Sequence, residues 1–174
     1  MADIRKLTRV VPDFPKPGIG FFDITTVLKD EQGFQEVISD LSDRFKFFDI
    51  DKIAGIEARG FVFASALAYE MEKGLILIRK PGKLPAETLS QKYKLEYGTD
   101  AVEMHKDAVE PGEKILVIDD LLATGGTVEA ACKLIENAGG EIAGIGFMIE
   151  LGFLKGIEKI KKYHVYSILK IKKG

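Results

Sequence analysis

The chain of 174 residues holds one cysteine, Cys132, and two histidines, His105 and His164. A single thiol excludes an intrachain disulfide, and so few sulfur and imidazole ligands argue against a structural zinc site. No stretch approaches the ~20 consecutive apolar residues that a membrane-spanning helix needs. The first residues, MADIRKLTRVV, lack the apolar region and small-residue cleavage site of a secretory signal. Charge of one sign is not in excess: 25 Lys and Arg stand against 27 Asp and Glu, with a pI of about 5.8. That balance gives no electrostatic reason to expect nucleic acid as a partner. Internal repeats and low-complexity tracts are absent. These absences imply a soluble, reduced, cytoplasmic protein with no membrane partner. The length suits one domain, 1–174, with a substantial core.

What is present alternates between two periodicities. Residues 2–11 read as a short helix. VPDFPKPGIGFFDITTVL packs prolines and glycines too densely for a helix or a central strand. In 31–47, Phe34, Val37, Ile38, Leu41 and Phe45 recur at helical spacing. KIAGIE at 52–57 and GLILIRK at 74–80 read as buried strands around an apolar helix over 60–73, a parallel βαβ unit. KYKLEY and DAVEMHK, split by Gly98, alternate in polarity and read as a half-exposed hairpin rather than core. A strand over 114–119, a helix over 125–138, a strand through GGEIAGIGFMIEL, a short helix over 154–162 and a last strand YHVYSILKI complete the pattern. The fold class is α/β, a mostly parallel central sheet flanked by helices, with ligands expected at the carboxyl ends of the strands.

One stretch demands a ligand: ILVIDDLLATGGT, residues 115–127. A buried strand ends in Asp119 and Asp120, then Ala123, Thr124, Gly125, Gly126 and Thr127 lead into a helix. Small residues let backbone N–H groups face a ligand closely, and a helix start adds roughly half a positive charge. That is a cradle for a phosphate monoester. The two carboxylates suit vicinal hydroxyls and, through water, Mg²⁺. A plain turn with a threonine cap would explain Thr124 but not the acids. The other phosphate loops fail: there is no lysine for GxxxxGK[ST], and GIGFMI at 144–149 lacks the third glycine of GxGxxG.

VIDDLLATGGT resembles the phosphoribosyl-pyrophosphate motif of type I phosphoribosyltransferases. PDFPKPGIGFFDIT, GIEARGF, LIRKPGKLP and KLEYGTDAVEMHKDAVEPG stand in the order of the adenine phosphoribosyltransferases, so the resemblance covers most of the chain. It implies the type I phosphoribosyltransferase fold with a small N-terminal hood (about 1–30) and a flexible lid or arm (about 84–106). It implies that adenine and phosphoribosyl pyrophosphate give AMP and pyrophosphate, with Mg²⁺ held mainly by substrate and water and no direct protein ligand. A homodimer is also implied.

The resemblance assigns the remaining segments. Glu57, Ala58 and Arg59 form a pyrophosphate loop, in which relatives often carry a cis peptide at the position of Glu57–Ala58. Arg79, Lys80 and Lys83 supply cations for several phosphate charges; a solvated basic loop is the plain alternative. Glu96 lies near N7 of adenine, with Tyr97 over the pyrophosphate. Gly20, Phe21 and Phe22 belong to the base-binding hood, recognising adenine through backbone groups, with Phe21 and either Leu121 or Leu122 as an apolar sandwich. Some relatives carry arginine at the Phe22 position. Arg59, Asp119, Asp120 and Glu96 are the catalytic candidates in a reaction of positioning and charge stabilisation, with no covalent nucleophile. Two other readings are a phosphoribosyltransferase for xanthine or hypoxanthine, and a non-catalytic regulator that binds the same ligand. His105, His164 and Cys132 read as structural.

Overall fold

The structure, a computed structural model, describes residues 3–94 and 98–172. In chain order the elements are α1 (Ile4–Leu7), β1 (Arg9–Val11), β2 (Phe21–Asp23), α2 (Thr25–Leu28), α3 (Glu31–Phe45), β3 (Lys52–Ile56), α4 (Arg59–Glu70) and β4 (Gly74–Ile78). They continue with β5 (Thr88–Lys94), β6 (Thr99–His105), β7 (Lys114–Leu122), α5 (Gly126–Asn137), β8 (Glu141–Leu151), a 3-10 turn (Gly152–Leu154), α6 (Ile157–Ile160) and β9 (Val165–Ile171).

A five-stranded parallel sheet in the order β4-β3-β7-β8-β9 organises the chain. The apolar runs of β3, β7 and β8 are buried on both faces, as interior parallel strands must be. On one face, Leu41 and Phe45 of α3 and Phe63 and Leu67 of α4 pack on Ile53, Ile118 and Met148. On the other, Val128, Leu134 and Ile135 of α5 pack on Val117 and Phe147. Each such side chain contributes about 1.5–3 kcal/mol by leaving water. Asp30 starts α3 by accepting from Gly33 N at 2.7 Å, which satisfies an orphan donor of the first turn.

The connection from β3 steps outward to β4, while those from β7 step the other way to β8 and β9. The order therefore reverses between β3 and β7, where a parallel sheet opens a crevice at its carboxyl edge. The α4 and α5 N-termini reach that edge from opposite faces.

Four expectations shift. Residues 2–11 are a helix only over Ile4–Leu7: the Thr8 hydroxyl donates back to Ile4 O at 2.7 Å, and Arg9–Val11 pair antiparallel with Phe21–Asp23. β4 is an edge strand and only half buried. Ile76 and Ile78 face the core, but Leu75 and Leu77 point to the opposite face of the sheet and are 40% and 39% exposed. The hairpin β5–β6 forms as read, yet Val102 and Met104 join the core under α5. β7 runs to Leu122, past the expected end at Asp119, so Asp119 and Asp120 lie inside the strand rather than at its very end.

Candidate active site

The cradle is built from what its backbone lacks. Gly125 takes φ +78, a left-handed conformation that favours glycine, and no side chain caps α5. The threonine-cap alternative is thereby removed. Gly125 and Gly156 meet backbone to backbone: a Cβ on Gly125 would stand 2.4 Å from Gly156 O, and one on Gly156 would stand 2.2 Å from Ala123 O. The first amides of α5 open on a small cavity of about 80 Å³, lined by Asp119, Leu121 and residues 122–128. That is the shape and partial charge that receives a phosphate.

Behind the cradle, Asp119 Oδ1 accepts from Asp120 N at 2.9 Å. Gly60, at the start of α4, leaves room for it: a Cβ there would lie 2.7 Å from the same oxygen. Asp120 is 5% exposed. Its Oδ2 lies 2.8 Å from Arg59 Nη2 but off the N–H direction, so the contact is an ion pair without a hydrogen bond. Burial pushes the Asp119 carboxyl well above its usual range, and the charge of Asp120 adds to the rise. Burial also raises Asp120, against the opposing pull of Arg59. Both acids are thus held where hydroxyl partners would suit them and a phosphate would not.

The cations are engaged with carboxylates. Arg79 donates twice to Glu57, each bond 3.2 Å, and once to Lys83 O at 3.1 Å. Lys80 N donates to Glu57 at 2.8 Å. Burial pushes Glu57 up, but the Lys80 amide and Arg79 outweigh it and leave its carboxyl below the usual value. Lys80 Nζ pairs with Asp100 and donates to Tyr93 OH at 3.1 Å. Lys83 is exposed on the turn. The Glu57–Ala58 peptide is cis, as expected. Arg59 turns toward the hood side: its Nη1 donates to Phe22 O at 3.3 Å and its guanidinium covers the Phe21 ring at 5.0 Å.

Beside the cradle lies an apolar cavity of about 730 Å³ between the N-terminal segment and the end of β8. Gly20 and Phe22 line it with Thr124, and Leu151, Phe153 and Leu154 close the far wall. Phe21 instead packs edge-on against Phe14 at 5.1 Å, and Leu121 borders the phosphate cavity. Glu96 and Tyr97 lie outside the described residues. His164 stacks near Phe48 and meets Arg44 at 2.8 Å, and Cys132 is buried with its thiol pushed up to about 12, so both are structural. Sequence reasoning missed Tyr93, Asp100, Leu151 and Gly156. Gly156, in LKGIEK, was the only one with a local signal, a glycine at a helix start.

A family model described as "Phosphoribosyl transferase domain" matches residues 23–173. The chain therefore belongs to the phosphoribosyltransferases. Its relatives narrow this. It is 53% identical to the adenine phosphoribosyltransferase of Solibacter usitatus over 99% of this chain and 100% of that one. The crystal structure of the adenine phosphoribosyltransferase of Thermoanaerobacter pseudethanolicus superposes with a TM-score of 0.95 at 50% identity, covering 97% and 98% of the two chains. That of Saccharomyces cerevisiae, complexed with an imino-altritol bisphosphate and adenine, superposes at 0.90 with 35% identity, covering 96% and 97%. Within that class, the chain is a member of the adenine phosphoribosyltransferase family.

Proposed function

We propose that this protein catalyses purine salvage: adenine and 5-phosphoribosyl 1-pyrophosphate give AMP and pyrophosphate. N9 of adenine bonds to C1′, and the C1′–O bond breaks with its electron pair leaving on pyrophosphate. The observation that carries this reading is the uncapped, glycine-walled start of α5 lying between paired carboxylates and an apolar cavity. The cradle takes the 5′-phosphate through Ala123–Thr127, Asp119 and Asp120 take the ribose hydroxyls, and the cavity takes the base near Gly20 and Phe22. The amides of Ala58 and Arg59 and the cations Arg59, Arg79, Lys80 and Lys83 face the leaving group, while Glu57, whose own amide donates to Ile78 O, holds Arg79 and the Lys80 amide. Glu96 handles the base proton and Tyr97 covers the pyrophosphate, both by family resemblance.

Mg²⁺ fits this site as a substrate-held ion. The two adjacent acids would reach it only through water, and the ion would neutralise charge on the leaving pyrophosphate. Leu75 and Leu77 on the open edge, with Val62 and Tyr69 exposed on α4, support a homodimer. No helix among the described residues is long and apolar enough to cross a membrane. In one domain, the hood (about 1–30) binds the base and the arm (about 84–106) closes over the substrates.

A panel of adenine, hypoxanthine, guanine and xanthine, each with phosphoribosyl pyrophosphate and Mg²⁺, tests the reading. Nucleotide should form far faster from adenine. Equal turnover of a 6-oxopurine would overturn the base assignment, and AMP binding without turnover of any base would leave only the regulator.

A further inference from the structure

Tyr93 and Asp100 face each other directly across the β5–β6 hairpin, and their side chains gather two groups of the site just described. The Tyr93 hydroxyl donates to Asp100 Oδ2 at 3.1 Å and accepts from Lys80 Nζ at 3.1 Å and from Thr127 Oγ1 at 3.3 Å. A phenol has one proton and two lone pairs, so these contacts use its whole capacity. Asp100 also pairs with Lys80 and accepts from Ala101 N at 2.8 Å. The network ties the end of β4, both strands of the arm and the first turn of α5.

The arithmetic of donors gives this network a consequence. Thr127 has one hydroxyl proton, and while it points at Tyr93 it cannot point at a phosphate oxygen. Lys80 has three protons, of which Tyr93 and Asp100 take two, and the Asp100 carboxylate cancels its charge. Burial pulls the Lys80 ammonium down, but the bonds to Asp100 and Tyr93 outweigh it and hold it above its usual value.

We propose that Asp100 and Tyr93 set the affinity of the site by competing with the substrate's phosphate oxygens for Lys80 and Thr127. This rests on the reading that Lys80 faces the pyrophosphate and Thr127 the 5′-phosphate. Asp100 acts as an internal carboxylate in place of the pyrophosphate oxygens. Tyr93 acts as an internal acceptor in place of a 5′-phosphate oxygen for Thr127 and, more weakly than Asp100, in place of a pyrophosphate oxygen for Lys80. Neither touches the reacting atoms, so both are positioning residues.

Calorimetric titration of the wild type, Asp100→Asn and Tyr93→Phe with inorganic pyrophosphate and with AMP separates the two ends. Asp100→Asn should bind pyrophosphate about two- to fivefold more tightly, the range for a partly exposed ion pair, and AMP less changed. That gain should shrink at high salt. Tyr93→Phe should bind AMP about two- to tenfold more tightly, because one hydrogen bond that Thr127 spends internally is released. Unchanged or weaker binding by a variant that melts as the wild type does would mean that the pair presents Lys80 and Thr127 instead of competing for them, and would overturn the proposal. If one variant fails to fold, the other decides. A wild type that binds pyrophosphate but makes no AMP would sink the functional reading while leaving the competition measured.

Discussion

Replacing Gly156 with alanine adds one methyl group to a place with no room for it. The new Cβ would stand 2.2 Å from Ala123 O, 2.9 Å from Gly125 N and 3.0 Å from Ala123 C. All three neighbours are backbone atoms of the cradle, so no side chain can rotate away. Carbon and carbonyl oxygen settle at roughly 3.3–3.6 Å, and the two segments must therefore part by roughly 1 Å. A displacement of that size in a positioning element can cost about 10²-fold, with about 1–3 kcal/mol of overpacking strain besides. AMP affinity by calorimetry and kcat/KM for phosphoribosyl pyrophosphate should both fall at least about tenfold. Gly74→Ala serves as the control, since its Cβ would meet nothing closer than Lys52 Cγ at 3.5 Å. A folded Gly156→Ala enzyme with AMP affinity within twofold of wild type would show that the cradle does not depend on this contact.

Asp23 should make the protein acid-sensitive. The Arg9 guanidinium, then the Thr25 hydroxyl and amide, lower its carboxyl from 3.8 to about 2. A group depressed on folding stabilises above its unfolded value and loses that contribution as pH falls from 3.8 toward 2. Thermal melts between pH 5 and 2 should show a shallower decline for Asp23→Asn, and identical slopes would refute the link. Glu96→Leu should lower kcat and kcat/KM together by about 10²–10⁴-fold, with Glu96→Gln milder and substrate affinity little changed. Wild-type kcat at saturating adenine in Glu96→Leu would remove its chemical role.

The strands β3, β7 and β8 were readable because burial on both faces leaves unbroken apolar runs. The cradle was readable because its acids, small residues and helix start are contiguous. β1 was not: Arg9–Val11 become a strand only because Phe21–Asp23 come back to pair with them. Tyr93 and Asp100 look like solvated hairpin residues until the fold sets them beside Lys80 and Thr127. Leu151 reads as one more strand residue, and only the packing of the N-terminal segment turns it into a cavity wall. Arg59 was expected to face the pyrophosphate, a role that remains proposed. Its contacts with Asp120 and Phe22 depend on β2 and β7 lying beside the start of α4, which no local pattern encodes.

The opposed approach of α4 and α5 to one crevice bears on how an anion is drawn in. The chain is negative at neutral pH, with a formal charge of −2, so a substrate bearing several phosphates meets weak repulsion at a distance. Helix-end dipoles do not appear in that count, and their pull fades within the first turn. The helix ends therefore attract only over the last few ångströms, and they do so from two opposite layers. Salt near 0.1 M, with a screening length of about 10 Å, softens the far repulsion more than the near attraction. Recognition of a phosphate by these two helix ends is therefore a matter of contact, made once the ligand has reached the crevice.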